Sequence, residues 1–460
     1  MKTLKTIIVL IIIVAIGYWV KNSGFFETTK PSIALQSEGK NLDIKQDGFW
    51  NPNKNMELEI KDDSGIKSYH IIAQTQDGEV LIDHQENITK RPKIVKIPLP
   101  KPNLELEDGV KISYQIQVRD WSNSHFFSGN QTNITYNLTI DTKAPIVRMI
   151  ANSYRIVYGG SALLIFKIND MSVKNISISN GTDNFKAFPF MKDGYYAVLI
   201  AWPIKNKAFN GTISVTDQAN NLKKVGIPVV KNPNIYYRNA DLRLSDNFIN
   251  TKPDMLINAI GERTKFDGPV EKFKYLNEDI RERDENIIRR TAQMIDFSMI
   301  EKPLSFAPFF PLKRSQNVGS FGDHRTYIYK DKKISKSVHL GLDMANFKHA
   351  PIISSNPGKV TFADTLGIYG NSVIIDHGLG LSTLYSHASK FEFDKSGIVK
   401  AGDEIAKTGQ TGWAFGDHLH LGILVQGHEV RVKEWMDPKW IKNNINDVFT
   451  KAAKIINEDS

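Results

Sequence analysis

The 460-residue chain contains no cysteine. That excludes disulfides, thiolate metal sites and a cysteine nucleophile, so any bound metal must be held by histidine and carboxylate. It leaves the compartment open, because a large domain outside the cytoplasm can do without disulfides. Long apolar runs are also lacking, with one exception near the start, Ile7 to Val20, 14 residues without a charge. No long basic run stands out either, although lysine and arginine exceed the acids to give a formal net charge of +9. A diffuse surplus of this kind suits anionic lipid or an anionic wall polymer better than nucleic acid, and no nucleic-acid partner is expected. Apolar residues are not scarce: 41% hydrophobic and 24% charged describes folded domains, and the length is too great for a single core.

The amino terminus, Lys2 and Lys5 precede the apolar run and Lys21 closes it. No small-x-small cleavage signature follows in Lys21-Asn-Ser-Gly-Phe-Phe26, so residues 1–24 read as an uncleaved signal-anchor, although the run is short of the ~20 residues of a full span. The positive flank would stay in the cytoplasm and everything after Gly24 would lie outside it.

Two later regions resemble each other. Leu58-Glu-Ile-Lys-Asp-Asp-Ser-Gly-Ile-Lys67 pairs with Ile165-Phe-Lys-Ile-Asn-Asp-Met-Ser-Val-Lys174, and Ile116-Gln-Val-Arg-Asp-Trp-Ser-Asn123 with Ile213-Ser-Val-Thr-Asp-Gln-Ala-Asn220. Each is an alternating strand running into a polar turn, and Ser32-Ile-Ala-Leu and Pro145-Ile-Val-Arg would open the two units. The expected organisation is two β-sandwiches, 25–143 and 144–231, similar in architecture to the immunoglobulin-like modules of bacterial surface proteins. Asp120 and Asp217 end corresponding strands; turn capping is the plainer reading, calcium ligation the alternative. Over 232–300, Phe273, Leu276, Ile280, Ile287 and Met294 recur at helical spacing, which gives a helical linker packed on one face. Short strands and glycine turns then make an all-β domain over 301–442, with a tail at 443–460. The fold class is mainly β. The apolar stretch Pro303-Leu-Ser-Phe-Ala-Pro-Phe-Phe-Pro311 needs cover, and would either fill the back of the β domain or lie across its groove.

Eight of the eleven histidines follow residue 300. In Gly416-Asp-His-Leu-His-Leu-Gly-Ile-Leu-Val425 the leucines alternate with His418 and His420, so on a strand both imidazoles share one face. Such a pair suits a metal ligand beside an acid or base, or a solvated strand face. In His339-Leu-Gly-Leu-Asp343 an extended chain would hold the two residues about 13 Å apart, too far for one ion, so the chain must bend, and Gly341 permits it. Tyr385-Ser-His387 closes a hydrophobic strand. His324, His349, His377 and His428 sit in turns or polar loops and read as unrelated to the metal.

Taken in order, His-x-x-x-Asp, Tyr-x-His and His-x-His in a glycine-rich β domain resemble the lysostaphin/LytM-type zinc endopeptidases of bacterial cell walls. Ser320-Phe-Gly-Asp-His-Arg325, Tyr369-Gly-Asn and Gly409-Gln-Thr-Gly412 resemble further motifs of that family. The resemblance implies a zinc peptidase domain with one Zn2+ per chain on His339, Asp343 and His420, and His387 and His418 as the catalytic pair. It implies a zinc-activated water attacking a peptide bond in the stem or cross-bridge of peptidoglycan. The implied partners are peptidoglycan and, through the anchor, the cytoplasmic membrane, with room left for an envelope protein. The implied location is the bacterial cell envelope, with the bulk of the chain on the periplasmic side. A domain of this family that only binds and activates another wall hydrolase is the alternative, disfavoured because all three ligands and both histidines are present.

Overall fold

Strands are the commonest element of the chain. The computed structural model describes residues 2–22, 27–37, 40–41, 47–103, 106–393 and 397–459. At 43% strand and 18% helix the protein is mainly β. It falls into two compact units, Met1–Pro145 with Asp170–Asn175 and Thr216–Lys223, and Ile146–Asn169 with Ile176–Val215 and Lys224–Ser460.

In the first unit Lys111–Asp120 buries every second residue, as a strand with one wet face must. It lies within a five-stranded sheet ordered Asp47–Trp50, Gln131–Ile140, Lys111–Asp120, Ile66–Thr75, Val80–Asn87. A four-stranded sheet of Lys40–Asn41, Ser32–Ser37, Met56–Lys61 and Ile94–Pro98 shares its core, Leu35, Leu58 and Ile60 meeting Ile71, Tyr114 and Leu138. The expected anchor is helical over Lys2–Asn22. Among the described residues no helix is long and apolar enough to cross a membrane. Met1 and Ser23–Phe26, which carry the ends of the expected 1–24 segment, lie outside the described residues.

The second unit opens on a sheet of Ile146–Asn152, Ser161–Asn169, Lys192–Ala201 and Phe188–Phe190. Residues 443–460 are more than a tail: the helix Asp447–Glu458 buries Val448, Phe449, Ala452 and Ile456, with the Phe449 ring 5.5 Å from that of Phe190. The 232–300 region is richer than one helix. It contains the strand Asn239–Arg243, the helices Asp246–Ala259, Pro269–Tyr275 and Arg281–Thr291, and a π-helical turn at Leu276–Ile280. Phe273, Leu276 and Ile280 are buried as their spacing implied, but Ile288 is buried and Ile287 only partly, and Met294, past the helix end, is exposed. A π turn takes up more residues than an α turn, which rotates the stripe beyond it.

The site-bearing sheet runs in the order Gln316–Gly319, Leu342–Ala345, Leu419–Val425, Leu381–Ala388, Gly370–Asp376, Gly358–Leu366, Ile398–Val399. Every residue of Leu381–Ala388 and Leu419–Val425 is buried. The second face is covered as well, because Leu384 and Leu424 join the core built by Phe273, Leu276 and Ile288 of the helices. The Pro303–Pro311 stretch sends Phe309 against His377 and Trp435, with ring centroids 5.2 and 6.0 Å away, and contributes nothing to the cavity at the site.

Candidate metal centre

Register brings the first two groups together. Leu342–Ala345 pairs antiparallel with Leu419–Val425, and Asp343 stands directly opposite His420. Cross-strand partners have Cβ atoms about 5 Å apart, so their side chains can share an ion. His339 comes from the chain between the strands Lys332–Val338 and Leu342–Ala345. Its Nε2 lies 2.9 Å from Asp343 Oδ1 and 3.0 Å from His420 Nδ1, and His420 Nδ1 lies 3.0 Å from Asp343 Oδ1. The chain bends at Gly341, as expected, and the glycine serves a second purpose. Gly341 has no unusual φ, but a Cβ there would sit 2.5 Å from His420 Nε2 and 2.6 Å from the Leu421 carbonyl oxygen.

A carbonyl only accepts, so each ring nitrogen facing one must carry the proton. His339 Nδ1 donates to Ser320 O (2.9 Å), which turns an unprotonated Nε2 toward the triangle. His387 Nδ1 donates to Thr411 O and His418 Nδ1 to Gly416 O, both at 2.8 Å, leaving Nε2 of each as an acceptor. The two rings are 4.8 Å apart, and His418 Nε2 is 3.7 Å from Asp343 Oδ1. His387 owes its direction to a bulge: where the strand Leu381–Ala388 pairs with Gly370–Asp376 the register shifts beside Ser372, and His387 adopts φ 65°. A bulge of this kind re-aims a side chain that regular pleating would send elsewhere.

Electrostatics keep the group in ligand form. Burial alone would raise the Asp343 carboxyl, yet His339 and His420 hold it well below the usual carboxylate range. Burial pushes His420 down to about 4, and burial with His418 and His420 nearby holds His387 well below the ordinary imidazole value. Two arginines missed as functional residues complete the frame. Arg325 donates to Asp343 Oδ2 at 2.8 Å. Arg238 pairs with buried Asp323, which accepts from the Ser320 N–H and so fixes the carbonyl that orients His339. Arg325 lies in a quoted motif, but nothing in its spacing announced its partner. Trp413, just after Gly412, lines the cavity with an indole N–H that finds no acceptor among the described residues.

The cavity over the group has a volume of about 380 Å³ and is lined by His339, Asp343, His387, His418 and His420. One wall comes from the 232–300 region: Asn239–Arg243 pairs parallel with His324–Tyr329, and Leu242, Arg243 and Arg281 face the cavity. The remaining histidines stay apart. His377 is buried between Pro357 O and Thr383 Oγ1, and His349 bonds Ser389; His324 and His428 do not line the cavity.

Three ligand atoms converging beside two imidazoles with free nitrogens make the arrangement of a metallohydrolase. Residues 337–432 match Peptidase family M23, and this C-terminal region is an M23 peptidase domain. A DD-carboxypeptidase/endopeptidase Mpg of Neisseria meningitidis is 39% identical over 93 residues, 20% of this chain and 21% of that protein. The peptidoglycan DD-endopeptidase ShyB of Vibrio cholerae is 37% identical over 92 residues, 20% of this chain and 22% of that protein. The chain thus spans about a fifth of the length of the curated relatives it matches. A crystal structure of a putative peptidase M23 from Pseudomonas aeruginosa covers 61% of this chain and 94% of its own, at 17% identity and a TM-score of 0.37.

Proposed function

We propose that the chain is a zinc-dependent peptidoglycan endopeptidase that hydrolyses a peptide bond in the stem or cross-bridge of the bacterial cell wall. The observation that carries this reading is the His339–Asp343–His420 triangle beside the free Nε2 atoms of His387 and His418. The residues fit zinc. A tetrahedral ion with ligands at about 2.0–2.1 Å spaces their atoms ~3.3 Å apart, so a triangle with 2.9–3.0 Å edges need open by only a few tenths of an ångström. Two imidazoles and a carboxylate are also a ligand set zinc uses in hydrolytic enzymes. Bound there, zinc would supply Lewis-acid activation of water and of the scissile carbonyl.

The chain's own residues do the rest. His387 and His418 hold their protons on Nδ1 and offer Nε2, so between them they accept a proton from water and return it to the leaving amine. Arg325 fixes the rotamer of Asp343, and the indole N–H of Trp413 donates to a backbone carbonyl of the substrate strand. The DD-endopeptidase activity of the relatives supports a direct stem-peptide cross-link as the bond cut. We read the N-terminal helix as a membrane anchor and the two strand-rich regions before residue 232 as immunoglobulin-like spacers that hold the peptidase domain in the envelope, on the periplasmic side. The test is digestion of purified sacculi by the full chain, with mass analysis of the released fragments. New amino and carboxyl ends that vanish with chelator and return with zinc are expected; release of intact peptide-linked fragments through glycan cleavage would refute the proposal.

A further inference from the structure

The repeat that ends two strands at Asp120 and Asp217 builds one carboxylate cage twice. Glu27 and Asp141 each stand four residues before a proline, in Glu27-Thr-Thr-Lys-Pro31 and Asp141-Thr-Lys-Ala-Pro145. In the first cage Glu27, Asp62 and Asp120 each place a carboxylate oxygen within 4.8 Å of the others; in the second Asp141, Asp170 and Asp217 do so. All six residues belong to the first unit. The supporting bonds correspond. The Asn130 side-chain amide donates to Glu27 O and Thr29 O at 3.0 and 2.9 Å, as that of Asn221 does to Asp141 O and Lys143 O at 2.8 and 3.2 Å. The Asn130 and Asn221 N–H groups cap Asp120 Oδ1 and Asp217 Oδ1, both at 2.7 Å.

Turn capping accounts for those Oδ1 atoms and leaves something over. Asp62 Oδ2 and Asp217 Oδ2, one in each cage, are buried and receive no hydrogen bond among the described residues. The two residues are 8% and 0% exposed. A carboxylate oxygen withdrawn from water without a donor is strongly unfavourable unless a cation faces it. The charges acting on these groups are like charges: burial, then Asp120 and Glu27, push Asp62 up to about 6, and burial with Asp141 and Asp170 raises Asp217. The donor set is all oxygen, with no imidazole or thiolate, which selects a hard cation over zinc. Calcium accepts six to eight oxygens in flexible geometry, whereas magnesium demands a tight octahedron.

We propose that each cage binds one Ca2+, giving the chain two calcium sites separate from the His–Asp–His group. The test uses the full chain, stripped on a chelating resin and titrated with CaCl2 by calorimetry, with melting followed in parallel. Two equivalents of Ca2+ should bind, Asp62→Asn and Asp217→Asn should each remove one, and the double variant should remove both. Without calcium each variant should melt no lower than wild type, because it has lost a buried like charge, and it should gain less when calcium is added. No uptake at about 1 mM Ca2+, the upper range for such modules outside cells, would overturn the assignment, as would equal affinity for Mg2+ or unchanged stoichiometry in both variants. Variants that melt below wild type in the absence of calcium would assign these carboxylates a purely structural role and overturn it as well.

Discussion

Gly341→Ala perturbs the metal centre without touching a proposed ligand. The added Cβ would lie 2.5 Å from His420 Nε2, 2.6 Å from its Cε1 and 2.6 Å from Leu421 O, and ordinary contact begins at 3.4 Å. Leu421 O belongs to a fully buried strand and cannot yield, so the imidazole must retreat by about 0.9 Å. Metal–ligand distances tolerate only ~0.2 Å, so the displaced Nδ1 leaves the triangle. Zinc affinity should fall about 10- to 100-fold, the loss that follows when a ligand's orientation is spoiled. Overpacking should also lower stability by about 1–3 kcal/mol. Competition for zinc against a chromophoric chelator, with urea unfolding of the metal-free protein, reads both effects. Zinc affinity equal to that of wild type in a folded Gly341→Ala protein would refute the reasoning that this glycine clears space for His420.

Asp343→Ala leaves two histidines, so zinc should be lost on dialysis and wall hydrolysis abolished; stoichiometric zinc by elemental analysis would contradict this. The protein should still fold but be less stable, since Arg325, with a side chain 19% exposed, loses its partner. His377, pushed down to about 4 by burial, is neutral in the folded chain and takes up a proton on unfolding below its ordinary 6.5. Its contribution is therefore fully present above pH ~6.5 and lost as pH falls toward ~4, by on the order of 2–3 kcal/mol. Urea unfolding of His377→Gln against pH should show a correspondingly flatter profile, and an identical slope would dismiss the effect. A fragment beginning near Glu301 should melt lower than a chain retaining 232–300, because the Phe273 ring packs at a steep angle against Tyr327 and Trp413, with centroids 5.0 and 5.1 Å away, and Asn239–Arg243 pairs with His324–Tyr329. Equal melting of the two would show that this shared core contributes little.

The grouping of the candidate site was legible because its residues lie in short motifs whose order is distinctive, and strand alternation alone put His418 and His420 on one side. What escaped detection depends on distance along the chain or on backbone irregularity. The parallel pairing of Ala240 with Arg325 joins residues 85 apart in sequence, and no local pattern announces it. The bulge that turns His387 inward arises from a register shift between neighbouring strands, invisible in Leu384-Tyr-Ser-His387 itself. Arg325 and Arg238 look like surface cations until the fold sets Asp343 and Asp323 beside them. The helical stripe was readable through Ile280 and went out of phase at the π turn. The anchor is a different case: charge and composition suggest a span over 1–24, the segment is helical over Lys2–Asn22, and among the described residues no helix is long and apolar enough to cross a membrane.

The proposed function assigns His420 as a ligand and places His387 and His418 beside the metal. Zinc content and sacculus hydrolysis, measured together on His420→Ala, His387→Ala and His418→Ala, separate these roles. His420→Ala should lose both zinc and activity, whereas the other two should keep stoichiometric zinc and lose about 10²- to 10⁴-fold in rate. Zinc retained by His420→Ala, or lost from His418→Ala, would contradict that assignment.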